Sequence, residues 1–265
     1  MVHTSDSVLE PFVRRLTARS ALTEDEVDAV LGLKGQPVEL TAHCDFVRLG
    51  ERVDHSCLVV DGLVGRFGQN SDGERQITCF YIPGDMADLP SVVCPKSAWG
   101  LASLTKTTIL RVPHTEIRRI AAEHSGIAEA LWRDCVVDGS IFSQWVVNAG
   151  RRDALARLAH LLCEMAIRCE QAGLGDRKSF SLPIPQADLA DATGLTNVHI
   201  SRMLKELRNR RVAKMRNGIV TVENWDQLVA IGEFDDVFLV LDGPTLSFLR
   251  PPDDSNSVSA SSTVR

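Results

Sequence analysis

The sequence predicts an α+β chain in three parts: an N-terminal β-roll, one long helix and a C-terminal winged helix-turn-helix. Three observations carry this. Residues 37–112 hold short apolar runs separated by Gly, Asp, Asn and Pro, the pattern of strands joined by tight turns. From His114 the chain turns helical, and the stretch to Asn148 contains no proline. Residues 186–207 then read as two short helices joined through Gly194, followed by two alternating runs around Asn217-Gly218. A chain of 265 residues fits two domains better than one.

In chain order, residues 8–16 read as a short helix. Thr23 opens a second, with Glu26 three residues on to complete a capping box. Apolar runs at 38–40, 58–60, 63–67, 77–82 and 109–112 are the predicted strands. Asp72-Gly73 predicts a type I′ hairpin, because that turn needs positive φ at both central residues. Pro83-Gly84-Asp85 marks a further turn. Strands at this spacing suggest a β-roll.

His114–Glu123 reads as a short helix, and Ser125 as the cap of a long one. One stripe of that helix runs Ala128, Trp132, Cys135, Gly139, Phe142 and Val146, in alternating steps of four and three, as a coiled-coil seam requires. A second includes Ile127, Leu131, Ile141 and Trp145. A helix apolar on two faces must be covered on two sides. The economical arrangement packs the second stripe on the roll and the first on a symmetry mate, which makes the first stripe the expected dimer interface. The alternative is burial on both sides within one subunit. Residues 150–153, Gly-Arg-Arg-Asp, read as a hinge, and helix resumes over 153–172.

In the helix-turn-helix, Leu189 and Ala190 face the core, Gly194 makes the turn and Thr196 caps the second helix. That helix buries a stripe of Ile200, Leu204 and Leu207. Asn217-Gly218 predicts the hairpin of a wing. The second helix of such a pair enters the major groove. The side chains expected to reach base edges are Asn197, His199, Ser201 and Arg202, the arginine by bidentate donation to guanine. Gln186, Thr196, Lys205, Arg208, Lys214 and Arg216 are the expected phosphate contacts, which set register without reading sequence. His199 reads equally well as a solvent-facing filler.

The formal net charge of -6 argues against a simple basic nucleic-acid binder. Resolved along the chain, it reverses meaning. Residues 202–216 carry seven cations against Glu206 alone, and residues 223–254 carry eight anions against Arg250 alone. A charge run by itself is a solvated face; here the basic run lies on the second helix and the wing. No apolar stretch is long enough to span a membrane, and the start resembles no secretory signal. Seven cysteines without a C-x-x-C pair then suggest reduced thiols in a cytoplasm.

These residues together resemble the Crp/Fnr family of bacterial transcription regulators, over nearly the whole chain. Gly50-Glu51, Gly62, Asp72-Gly73 and Pro83-Gly84-Asp85 are similar to its cyclic-nucleotide-binding-like β-roll. The long helix resembles its dimerisation helix and Arg152-Asp153 its hinge. Leu189-Ala190, Gly194-Leu195-Thr196 and Ser201-Arg202 resemble its DNA-binding motif, whose Ser-Arg pair contacts bases. The form Val198-His-Ile-Ser-Arg202, with Gly232-Glu-Phe-Asp235 after the wing, is similar to a subgroup common in alphaproteobacteria. Val198 stands where many members carry a base-reading glutamate, so the resemblance does not imply the operator of well-known members. The resemblance implies a homodimer on a pseudopalindromic double-stranded DNA operator, in contact with RNA polymerase. It divides the chain into a sensor roll with N-terminal helices (1–124), a dimerisation helix and hinge (125–150), a winged helix-turn-helix (151–226), and an acidic extension with a disordered tail (227–265).

The effector is unknown. Members that bind cyclic nucleotide carry a Gly-Glu pair and then an arginine that grips the phosphate, and residues 85–110 hold Lys96 and Lys106 but neither Arg nor Glu. No cysteine precedes Cys44, against an N-terminal iron-sulfur cluster. No metal site is expected, since His160 and Cys163 make only two ligands. A cysteine-based redox response is the alternative mode, with Cys44 beside His43 the first thiol to test. An enzyme is not expected: the chain has no His-x-His pair and no G-x-S-x-G elbow. A β-roll that binds protein rather than specific DNA is the remaining reading.

Overall fold

The computed structural model describes residues 8–249. The expected disorder of residues 251–265 lies outside the described residues. Two short helices come first, α1 (Glu10–Thr17) and α2 (Glu24–Leu31). Thr23 and Glu26 form the expected reciprocal capping box.

The roll follows as eight strands: β1 (Gln36–Leu40), β2 (Cys44–Val47), β3 (His55–Asp61), β4 (Val64–Gln69), β5 (Arg75–Tyr81), β6 (Met86–Ala87), β7 (Gly100–Ser103) and β8 (Thr107–Pro113). They make two four-stranded antiparallel sheets, β1-β8-β3-β6 and β2-β7-β4-β5. The β4–β5 turn is not the predicted type I′. Only Gly73 has positive φ, and Asn70 organises a longer loop whose side-chain oxygen accepts from the backbone N–H of Asp72 and Glu74. The Pro83-Gly84-Asp85 turn forms as expected. Gly84 sits at φ +95°, and a Cβ there would lie 2.9 Å from Pro11, so this turn and α1 pack at glycine distance.

α3 (His114–Glu123) leads into α4 (Ser125–Arg151). Ser125 does not cap α4: the N-cap is His124, in extended conformation with no side-chain cap. Ile127, Leu131, Ile141 and Trp145 are buried as expected, the first two among α1, α3 and one face of the roll, the last two among the other sheet and the following helix. α4 runs one residue past the 150 boundary, and Gly150 lies within it. The break falls at Arg152-Asp153, where Asp153 caps α5 (Ala154–Ala172).

α5 carries the C-terminal part: β9 (Gly175–Asp176), β10 (Ser179–Ser181), α6 (Gln186–Thr193), α7 (Asn197–Asn209), β11 (Ala213–Arg216), β12 (Ile219–Val222) and α8 (Trp225–Gly232). The expected boundary at 226 cuts through α8. Residues 227–249 are also no free acidic extension: Leu228 and Leu239 are fully buried.

A buried ionic junction ties these parts together. Arg15 of α1 contacts Asp134 and Asp85 at 2.7 Å each and Asp138 at 3.4 Å. Arg168 of α5 contacts Asp85 and Glu164 at 2.8 Å each and donates to the Phe80 carbonyl at 2.6 Å. Tyr81 donates to Asp138 at 3.0 Å, and Trp145 to Glu164 at 2.7 Å. Burial, offset by Arg15 and reinforced by Asp134, pushes the Asp138 carboxyl up to about 6. The folded chain therefore holds this proton more tightly than the unfolded chain. The stabilisation it gives is full below the unfolded carboxylate range and is lost as pH rises through the folded value. Denaturant titrations of wild type and Asp138→Asn should reveal it. The wild type is expected to lose up to about 3 kcal/mol relative to the variant between roughly pH 4 and pH 7. A pH-independent difference would refute the assignment.

Candidate nucleic-acid interface

The helix-turn-helix is built by local signals. α6 buries Leu189 and Ala190, Gly194 ends it at φ +64°, and the Thr196 side chain caps α7 by accepting from the His199 N–H at 3.3 Å. α7 buries Ile200 and Leu207 against this core, which commits its opposite face to solvent.

At about 100° per residue, Asn197, Ser201, Lys205 and Arg208 share one outward face, with Val198 and Arg202 beside them. All six are exposed. His199 falls to the flank, and its ring contacts the Thr196 hydroxyl at 3.1 Å, so it supports the helix start. The wing hairpin is the predicted type I′, with φ +51° at Asn217 and +75° at Gly218. Arg216 is exposed just before its tip. Gln186 is exposed in the first turn of α6, whose N-cap Pro185 supplies no side-chain cap.

Among the described residues, Arg202, Lys205, Arg208, Arg211 and Arg216 form no ion pair, whereas Arg210 pairs with Glu206 at 2.8 Å. Lys214 differs from expectation: it is half-buried and paired with Glu223 at 2.7 Å, so a phosphate would have to compete with that carboxylate. The result is a cationic surface running from α7 onto the wing.

On the long helix, Trp132, Phe142 and Val146 are exposed, Ala128 and Cys135 are half-buried, and a Cβ on Gly139 would meet nothing within 4 Å. The stripe assigned to a symmetry mate is thus uncovered in a single chain.

Inside the roll, the sequence reading overlooked Arg66, because it sought a cation only in residues 85–110. Arg66 is buried on β4, with its guanidinium over Trp99 at 5.1 Å and Phe142 at 5.6 Å, and it donates to Thr78. Asp88 nearby accepts from the Trp99 indole at 3.0 Å, and burial pushes its carboxyl up to about 6. Lys96 is exposed. A cyclic phosphate needs free cationic donors; here the interior cation is stacked and hydrogen-bonded, and a carboxyl stands beside it. These residues do not fit a cyclic nucleotide.

The thiols divide by burial. Burial pushes Cys57, Cys79 and Cys135 up to about 12 and Cys169 to about 11, which disfavours the reactive thiolate. Cys94 is exposed, and Cys44 is half-buried. Among the described residues, no three His, Cys, Asp or Glu side chains gather as a metal site, and no helix is long and apolar enough to cross a membrane.

The comparisons agree with this geometry. Residues 37–124 match the model of the cyclic nucleotide-binding domain, and residues 156–231 that of the Crp-like helix-turn-helix domain. A curated relative from Rhizobium leguminosarum bv. viciae, described as a probable transcriptional activator, is 24% identical over 74% of this chain and 81% of its own. The fumarate and nitrate reduction regulatory protein of Salmonella typhi is 20% identical over 83% of this chain and 87% of its own. Among solved structures, FixK2 from Bradyrhizobium japonicum superposes with a TM-score of 0.68 at 24% identity, covering 75% of this chain and 98% of that one. A CooA mutant from Carboxydothermus hydrogenoformans gives 0.61 at 14% identity, covering 86% and 97%. With a cyclic nucleotide-binding β-roll and a Crp-like helix-turn-helix in one polypeptide, the chain belongs to the Crp/Fnr family of DNA-binding transcription regulators.

Proposed function

We propose that this chain acts in the cytoplasm as a homodimer that reads a pseudopalindromic operator and works with RNA polymerase. Within the family we place it in the subgroup marked by Val198-His-Ile-Ser-Arg202. Asn197, Ser201 and Arg202 read base edges, with His199 at the margin of that set. Gln186, Thr196, Lys205, Arg208 and Arg216 hold phosphates, and Lys214 joins them only by leaving Glu223. The dimer forms along Ala128, Trp132, Cys135, Gly139, Phe142 and Val146. The roll biases the two DNA-binding units through the Arg152-Asp153 break, under an effector or a redox signal whose identity is open. The chain then divides into a sensor roll with N-terminal helices, a dimerisation helix ending at Arg151 and a winged unit ending at Gly232.

The observation that carries this reading is the exposed face of α7, where Arg202, Lys205 and Arg208 have no carboxylate partner among the described residues. Selection of bound sequences from random DNA tests it. Enrichment of a two-fold site with half-sites roughly 34 Å apart is the expected result. Absence of enrichment would favour a protein-binding module. The seam has its own test. Because a Cβ on Gly139 meets nothing in the single chain, Gly139→Glu should fold normally and sediment as a monomer. A variant that remains dimeric would remove the proposed seam.

A further inference from the structure

After α8 the chain does not leave the body. Leu239 is buried, and its carbonyl accepts from Arg19 Nε at 2.9 Å. The Ala21 N–H donates to the Thr245 carbonyl at 3.0 Å, and the Thr245 N–H to the Arg19 carbonyl at 3.1 Å. One carboxylate oxygen of Glu129, on α4, then accepts from the Ser247 hydroxyl at 2.7 Å, the Phe248 N–H at 2.8 Å and the Leu249 N–H at 3.3 Å. Glu129 is itself held by Arg133 at 3.0 Å, and Arg133 donates to the Ser20 hydroxyl at 2.6 Å. Residues 239–249 are thus a strap stitched through polar groups to the connection between α1 and α2 and to α4.

Leu239 anchors the start of this strap in the core, but the apolar side chains near its end point to solvent. Leu246 is 72% exposed, Phe248 82% and Leu249 49%. An ordered segment that turns large apolar groups to water leaves several kcal/mol of burial unused, and such patches mark interfaces. The location says what covers them. Glu129 lies one helical turn before Trp132 and Arg133 and two turns before Val136, and both Trp132 and Val136 are 61% exposed. The strap is therefore continuous with the uncovered stripe of α4. On the same stretch of α4, Leu131 and Trp132 line a cavity of about 310 Å³ with Leu89, Val92 and Ile117. Residues 244–249 contain no charge, so the strap complements an apolar surface rather than DNA.

We propose that Leu246, Phe248 and Leu249 belong to the subunit interface and are covered by a second copy of this chain, the strap widening the seam made by α4. This rests on the dimer reading: a two-fold that pairs the Trp132–Gly139 face also brings each strap to the partner.

The test is a concentration series in sedimentation velocity with the full chain, Phe248→Glu, a chain stopped after Leu249, and Gly139→Glu. Phe248 is exposed in the single chain, so its variant should keep the wild-type circular dichroism spectrum, while its melting midpoint falls only as far as the weaker dimer requires. Expected is a dimer dissociation constant raised about tenfold or more by Phe248→Glu, because each interface loses two copies of the side chain, and unchanged in the chain stopped after Leu249. Wild-type dimerisation by Phe248→Glu overturns the proposal. An equal loss in the stopped chain also overturns it, since the remaining residues of the same chain would then be the cover. A monomeric Gly139→Glu beside an unaffected Phe248→Glu rejects the strap while keeping the dimer; a dimeric Gly139→Glu rejects the dimer reading itself.

Discussion

Replacing Arg168 with methionine is expected to destabilise the chain by about 3 to 5 kcal/mol, the range for removing one partner from a buried ion pair. The side chain is buried at the meeting of α5, α4 and the roll, and it serves Asp85, Glu164 and the Phe80 carbonyl together. Methionine fills similar volume, so the loss comes from the two carboxylates that lose this cation, Glu164 above all. Arg15 still serves Asp85, but Glu164 keeps only the Trp145 indole. Adding Glu164→Gln to Arg168→Met should restore part of the loss, because a neutral amide costs far less to bury than a carboxylate. Chemical denaturation of both variants measures this. A single-variant loss under about 1 kcal/mol would mean that water reaches the junction and screens it. Arg168 sits on the helix that carries the DNA-binding part while Asp85 belongs to the roll, so the same variant should loosen the coupling between the two.

What was legible in the sequence follows the range of the forces. The Thr23 capping box, the Gly194 turn, the Thr196 cap and the Asn217-Gly218 hairpin are each decided within about four residues, and each is found as read. The two faces of α4 were also legible, because helical periodicity sorts them. The local misreadings are instructive. Asp72-Gly73 yields to Asn70, whose side chain builds a longer loop, and Ser125 yields to His124 because α4 begins one residue earlier. Strands β2 and β7 are too short and too mixed in composition to stand out. The junction was illegible for a different reason: Arg15 and Asp134 are 119 residues apart, and no local rule pairs them. Composition alone makes the strap part of an acidic extension. Its backbone donors to Glu129 and its contact with Arg19 depend on a fold that composition does not encode.

Replacing Arg202 with alanine is expected to cut discrimination between operator and unrelated DNA sharply while leaving the fold intact. The side chain is exposed, forms no ion pair among the described residues, and lies on the face of α7 opposite the buried Ile200 and Leu207, so its removal should not move the melting midpoint. A bidentate arginine contact to guanine contributes about 1 to 3 kcal/mol of discrimination, and a two-fold complex loses it at both half-sites, about 2 to 6 kcal/mol in total. Lys205→Ala provides the contrast. A phosphate contact should weaken operator and random DNA alike and reduce the slope of binding against salt by about one per contact. Fluorescence anisotropy with the selected operator and a scrambled duplex, at several salt concentrations, separates the two behaviours. If Arg202→Ala lowers both affinities equally, Arg202 is a phosphate contact, and base reading falls to Asn197, Ser201 and the exposed Val198. In that outcome specificity would come from an apolar contact of Val198 with thymine methyls rather than from guanine donors.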